Sequence, residues 1–596
     1  MQMLTILLIK YIVFYAFFYL MGRSFLLLIQ KLYFKKNKLP EYFLYIKSSI
    51  IFPVIGLLFT GNLLVLLNFF VPLKSDLVLV ALFLFLVFNL FDYELDKIYN
   101  LLNVKNFNYF ILIPAVLIVS SYSISFHYDA GFYHLLSQNW LRESELVIGK
   151  VNIFWPLGIS SIYEYISSIL WIDSSFILLH YLNLIFVHFF IILIWDNLLY
   201  GKIKELHYFS YFLLIFSILD NFGFQGGRNG YLYLDGVTKQ DVTIGILFCV
   251  VSFLIFKILK EKDIKEIDLI ALSLLTFFTF QIKISSVFIL FIYLILIITL
   301  IKINSLSATR ILKLHIPVLS FGFFWFLKNY FSTGCLIFPL SASCINNFDW
   351  FVKSLNKYAE LSVSSASTGY INYMTDPDKN FNEWFSEIIK DSFYVAIFKN
   401  FIFSLLILLI IRHLFFIKTK PSKRIVYTQI TFVLINLLYL VFYGPIPRYS
   451  IGLTLFIVSL FSFYVKEIKL NRNQIALYSL LLFSLIFTVR MSSYQNFLNG
   501  NEIAVFDATM EGKYSETSTD WVIPSKGDQC WVNINCTSVD PIELGYNIKI
   551  ENYNNYFNVA RIIPLDGKCS AEKIKISKTN EGVTKDVDKY VFSCNN

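Results

Sequence analysis

Apolar positions in this chain come in blocks, not in the alternating or one-faced patterns of soluble strands and helices. The blocks run about 16 to 27 residues, around the length an α-helix needs to cross the hydrocarbon core of a bilayer. They fall at 4–29, 46–72, 75–91, 108–125, 174–200, 206–222, 240–257, 267–282, 284–301, 312–330, 392–412, 425–443, 449–465 and 474–489. The first has no small-residue cleavage site and is too long for a signal-peptide core, so it reads as an anchor. The pattern predicts an all-α polytopic membrane protein, with about fourteen transmembrane helices over residues 1–490. Residues 491–596 break it, being polar with alternating pieces such as "ELGYNIKIENY" and "KYVFS". Alternation implies short strands, hence a small β-rich or mixed C-terminal domain.

Charge orients the helices. Lysines and arginines crowd one set of alternate loops, among them Lys35, Lys36 and Lys38, then Lys257 to Lys265, then Lys418 to Arg424. The opposite short loops hold few, Lys74, Lys239 and Arg448 being typical. By the positive-inside rule the first set is cytoplasmic. The loops 126–173 and 331–391 and the C-terminal domain then face outward from the cell (inner) membrane. Six of the seven cysteines fall on that outer side: Cys335, Cys344, Cys530, Cys536, Cys569 and Cys594. An oxidising compartment would produce this distribution. Cys335–Cys344 and Cys530–Cys536 are local pairs, and Cys569–Cys594 follows by elimination, although four tail cysteines permit three pairings. Cys249 lies within an apolar block and reads as a small apolar residue.

Composition narrows the classes. With 57% hydrophobic and 15% charged residues, the chain has more apolar surface than soluble cores could bury. The net charge of +9 is explained by loop lysines and implies no nucleic-acid partner. No Walker A, GxGxxG or HExxH pattern occurs, which disfavours an ATP-driven pump or a zinc peptidase of that type.

One outer stretch departs from the rest. "FHYDAGFYHLLSQNWLRESELVIGKVNIFWP", residues 126–156, sets acidic, aromatic and imidazole groups between two apolar blocks. Glycosyl transfer onto a hydroxyl needs a base for the acceptor proton and positive charge for the departing phosphate. Asp129, flanked by Tyr128, Phe132 and Tyr133, is a candidate base, though a carboxylate there could simply cap a helical turn. His134 could orient that carboxylate or bind sugar, or just pack among aromatics. Asp241, in "VTKQDVTIGILF", enters a span at its outer end, where it also suits the helix dipole.

The residues Asp129, Tyr133, His134, Trp140, Asn152 and Pro156, with the helix "PLGISSIYEYI", resemble the first external loop of GT-C glycosyltransferases. "IKISS" at 282–286, "KNYFSTGCLIFP" at 328–339, "GPIPRY" at 444–449 and "GDQCW" with its following "CT" extend the likeness over most of the chain, to a large group of bacterial membrane proteins. The resemblance implies Asp129 as the catalytic group, Asp241 as its partner, and a sugar donor carried on polyprenyl phosphate. Together the two acids could instead hold a divalent cation, Mg or Mn, though no cofactor is demanded by their spacing.

Four basic residues stand where positive-inside pressure disfavours them: Arg228, Lys283, Lys328 and Arg448. Some would meet membrane lipid headgroups. As phosphate ligands, an arginine binds bidentately and a lysine acts as a point charge, and Arg448, between two prolines, is the preferred clamp. Trp350, Tyr358, Tyr370, Tyr373, Asp376, Asp378 and Trp384 in the loop 331–391 would suit stacking on sugar rings or anchoring in headgroups. The expected activity is therefore inverting transfer to a hydroxyl of a cell-envelope glycan, glycolipid or protein. An O-antigen-type polymerase or ligase, and a glycan or lipid transporter, are the alternatives. Charges clustered at the outer ends of spans, rather than near mid-membrane, favour surface chemistry over transport.

Overall fold

The computed structural model describes most of residues 2–594; the longer stretches outside the description are 91–103, 223–235, 369–385, 444–446, 469–473, 483–488 and 507–511. The chain is mostly helical, with a small sheet region at its C-terminal end. Helices occupy the apolar blocks as far as Leu460, and part of the last block, 474–489, lies outside the described residues. Among the described residues, seven helices are long and apolar enough to cross a membrane. An eighth arises if Ala308–Leu314 and Ile316–Thr333, bent by 58°, form one span. Shorter apolar helices lie at Asp76–Val87, Lys105–Ser120 and Arg448–Tyr464.

Burial sorts these helices into a centre and a rim. The apolar window of Asp241–Glu261 is wholly buried and that of Ile177–Tyr200 is 94% buried, whereas Val395–Leu414 and Lys423–Val441 bury only 22% of theirs. The rim exposes Phe398, Leu406, Ile410, Leu434 and Leu438. Exposed apolar side chains on long apolar helices are what a lipid solvent requires. In such a solvent, packing depends on close backbone approach through small residues. Gly22 and Gly56 face each other where helices Gln2–Phe34 and Ser48–Asn68 cross, and a Cβ at either would strike the partner's carbonyl oxygen.

At one end of the helices the loops pack together. Leu146 N–H donates to Asn68 O (2.8 Å) and Gly149 N–H to Phe331 O (2.8 Å), so the loop 126–173 lies across the ends of Ser48–Asn68 and Ile316–Thr333. The C-terminal region covers this end. Its hairpins pair Tyr546–Tyr553 with Phe557–Pro564, and Ser570–Asn580 with Val583–Ser593. Ile148 bridges to Val559, and one apolar cluster joins Trp140, Val151 and Phe154 of the loop to Phe338, Trp521, Tyr546 and Phe592. The C-terminal region therefore shares its core with the loops it covers. Three cysteine pairs stand at disulfide distance here: Cys335–Cys344 (2.10 Å), Cys530–Cys536 (2.13 Å) and Cys569–Cys594 (1.99 Å). Cys249 is buried and free.

Candidate functional site

The site forms where two loops meet. Phe126 bridges in parallel to Val237, with Val237 N–H donating to Ser125 O (3.0 Å). This short backbone pairing aligns residues 127–129 with residues 238–241. Asp129 opens a π-helical turn, Ala130–His134, a local widening that re-aims side chains and recurs at functional sites. Lys239 of the second loop pairs with Asp129, and His127 Nδ1 lies 3.7 Å from the same carboxylate. Burial raises the Asp129 carboxyl, but the Lys239 ammonium, with His134 and His127, outweighs it and holds the group at about 2. Burial, reinforced by Lys239, pushes His127 down to about 4.

Asp241, two residues beyond Lys239, begins helix Asp241–Glu261 and is 2% exposed. It meets two cations. Lys283 pairs with its Oδ1, and Arg448 Nε lies 3.2 Å from its Oδ2. Lys283 reaches it because the chain leaves helix Glu266–Ile282 in an extended conformation at that residue, a break held by Ser286 Oγ against the Lys283 carbonyl (2.9 Å). The Tyr449 ring lies under both cations, 3.9 Å from Lys283 Nζ and 5.5 Å from Arg448 Cζ.

Gln240 joins these ion pairs to a third group. Its Nε2 donates to Glu164 Oε1 (3.3 Å), which lies 2.5 Å from His134 Nδ1, while Gln138 donates to Glu164 Oε2 (2.8 Å). Tyr133 sits among the acids. Burial, then the charges of Asp129 and Glu164, push its phenol above the ordinary range, so it remains a hydrogen-bond donor.

Of the residues expected from sequence, the fold brings together Asp129, Asp241, Tyr133, His134, Lys283 and Arg448. Lys328 lies apart, in a pocket beside Glu164 that also contains Lys150. Asn152 is a tie rather than a part of this cluster: its Nδ2 donates to Trp350 O and Ala560 O, both at 2.9 Å. Trp350 is buried and stacked on Phe348, and Tyr358 lies against Trp155 and Phe592. Arg228, Tyr370, Tyr373, Asp376, Asp378 and Trp384 lie outside the described residues.

Sequence reasoning missed Lys239 and Glu164. Lys239 left a signal, a cation in a loop where cations are scarce; Glu164 left a fainter one, an acid within an otherwise apolar helix. Among the described residues no group of three or more His, Cys, Asp or Glu could hold a metal ion. Asp129 and Asp241 face ammonium and guanidinium groups, and a divalent cation would have to displace them.

All the clustered residues fall within a segment, residues 3–455, that matches the model of one family. The chain belongs to the DUF8201 family, described as a domain of unknown function. The DUF8201 segment includes Asp129, Lys239, Asp241, Lys283 and Arg448, whereas the hairpins covering them lie beyond it. No curated protein and no solved structure matches the chain.

Proposed function

We propose that this DUF8201 protein is a GT-C-like glycosyltransferase of the cell (inner) membrane, with about fourteen spans, and with the site and the C-terminal region on the extracytoplasmic face. Its donor is a sugar on polyprenyl phosphate, and its acceptor is a hydroxyl of a cell-envelope glycan, glycolipid or protein. One observation carries the reading: Asp129 and Asp241, far apart in sequence, meet three cations, Lys239, Lys283 and Arg448, in a single partly buried cluster.

In the reaction, the acceptor oxygen attacks the anomeric carbon on the face opposite the phosphate. Its proton passes to Asp129, the new C–O bond forms, and the bond to the phosphate oxygen breaks with its electron pair leaving on phosphate. Arg448 and Lys283 meet that charge. A carboxyl held at about 2 is a weak base while it is paired with Lys239. An arriving phosphate competes for the Lys239 ammonium, and loss of that partner raises the proton affinity of Asp129. Donor binding thereby prepares the base.

The test is the surface-glycan profile of cells carrying Asp129→Asn at wild-type protein levels. Loss of one glycan species is expected. A wild-type profile ends the catalytic assignment and favours a transporter.

A further inference from the structure

Glu164 takes no part in the transfer steps above, yet it is 3% exposed, and a carboxylate that deep is costly unless its oxygens are satisfied. Three side chains satisfy them. Gln138 Nε2 donates to Oε2 (2.8 Å), while Gln240 Nε2 (3.3 Å) and His134 Nδ1 (2.5 Å) reach Oε1. The sense of the Gln138 amide is fixed by Trp171, whose indole N–H can only donate and meets Gln138 Oε1 at 2.9 Å. The carboxylate is therefore the acceptor in this network, and the proton between it and His134 belongs to Nδ1. An imidazole whose proton sits on Nδ1 presents Nε2 as a proton acceptor.

The backbone brings this imidazole to the base. Asp129 precedes the π-helical turn Ala130–His134, and His134 ends it, with Leu135 N–H donating to Ala130 O. Such a turn closes over five residues instead of four, so His134 stands one turn beyond Asp129. Its charge helps to hold the Asp129 carboxylate, behind that of Lys239. The Asp129 carboxyl, at about 2, is a poor resting place for a proton. A transfer that delivers one there needs an onward acceptor.

We propose that His134 and Glu164 form a proton relay behind Asp129, an inference that rests on the transferase reading. The proton taken from the acceptor hydroxyl leaves the Asp129 O–H for His134 Nε2. The imidazole lone pair forms the new N–H bond, and the O–H electron pair returns to the carboxylate. Release of the phosphate lets Lys239 pair with Asp129 again, which lowers the carboxyl's hold on the proton and drives this step. Glu164 is a positioning residue: it fixes the Nδ1–H tautomer and balances the imidazolium that results. The imidazolium then passes its proton to water, and the site is restored.

The experiment joins two readouts. The first is the NMR spectrum of isotopically labelled histidine nitrogens in the full-length protein, held in phosphatidylcholine nanodiscs at neutral pH. His134→Asn identifies the His134 signals by their loss; its side-chain amide can still donate to Glu164 but offers no nitrogen to accept a proton. Wild-type His134 is expected to carry one proton, on Nδ1, and Glu164→Gln should abolish that preference. Protonation of both ring nitrogens at rest, or of Nε2 alone, overturns the relay. The second readout is the surface-glycan profile of cells at wild-type protein levels. His134→Asn should reduce the glycan that Asp129→Asn removes by about 100-fold or more, as for a lost proton-transfer group. Glu164→Gln should reduce it too, and Glu164→Asp, which keeps the charge, should recover part. If Glu164→Gln does not fold, His134→Asn and the wild-type spectrum decide. A glycan lost in Asp129→Asn but kept in folded His134→Asn overturns the relay and leaves the transferase reading standing. A glycan kept in Asp129→Asn overturns both.

Discussion

Lys239 reaches Asp129 across a sequence separation of 110 residues, while Asp241, its neighbour but one, turns to Lys283 and Arg448 instead. A three-residue run, Lys239-Gln240-Asp241, therefore serves three groups in space, because Gln240 donates to Glu164. The run lies between a turn at Thr238, whose φ is +77°, and the first turn of helix Asp241–Glu261, so its consecutive side chains point in different directions.

The first prediction tests that pair. Asp129→Asn removes the proton acceptor and should lower transfer by about 100- to 10,000-fold. It also leaves Lys239, 8% exposed, without its counter-charge. A stability loss of about 2 kcal/mol is expected, and Asp129→Asn combined with Lys239→Met should recover most of it. Thermal midpoints of the two variants check the recovery, while transfer should stay low in both.

Arg448→Ala should weaken donor binding, because the phosphate charge loses a guanidinium. Arg448→Lys should restore it only in part, since an ammonium cannot reproduce the planar fork. Donor titration of each purified variant separates the two. Equal binding by Arg448→Ala and the wild type would remove Arg448 from the site.

Gly131 tests the contact between the site loop and the C-terminal region. A Cβ there would stand 2.6 Å from Gln529 Oε1 and 2.8 Å from the Trp531 ring, while Trp531 N–H donates to Gly131 O (2.8 Å). Gly131→Ala should therefore lift the 529–532 turn, at about 1 to 3 kcal/mol, the range for overpacking. Faster amide exchange at 126–134 and 529–532 together is the expected readout.

Acid should destabilise the protein in two windows. His127 is held at about 4 against an ordinary 6.5, so the unfolded chain binds the extra proton first, and stability falls from pH 6.5 to about 4. Asp129 is held at about 2 against 3.8, so its favourable pairing is lost from about pH 4 down to pH 2. His127→Gln should flatten the upper window and leave the lower one. Thermal midpoints across about pH 2 to 8 check the sign.

The orientation is tested by labelling. Single cysteines placed at Lys36 and Ser422 should react only from the cytoplasmic side, as loops dense in basic residues do. External labelling would put Asp129 in the cytosol.

Membrane class, the positions of the long apolar helices, the local cysteine pairs and the strands near Tyr546 and Tyr590 were legible in the sequence. These follow from local composition and period, which the solvent on each side enforces residue by residue. Asp129, Asp241 and Arg448 stood out because each is a charge where the local pattern disfavours one. Their meeting was not legible. It depends on the Phe126–Val237 bridge, on the break at Lys283 and on a C-terminal turn seated over Gly131, all contacts between residues far apart in the chain. Lys239 and Glu164 were overlooked for the same reason. In the sequence each is a lone charge that could belong to any helix end, and only folding supplies the opposite charge that gives it a role.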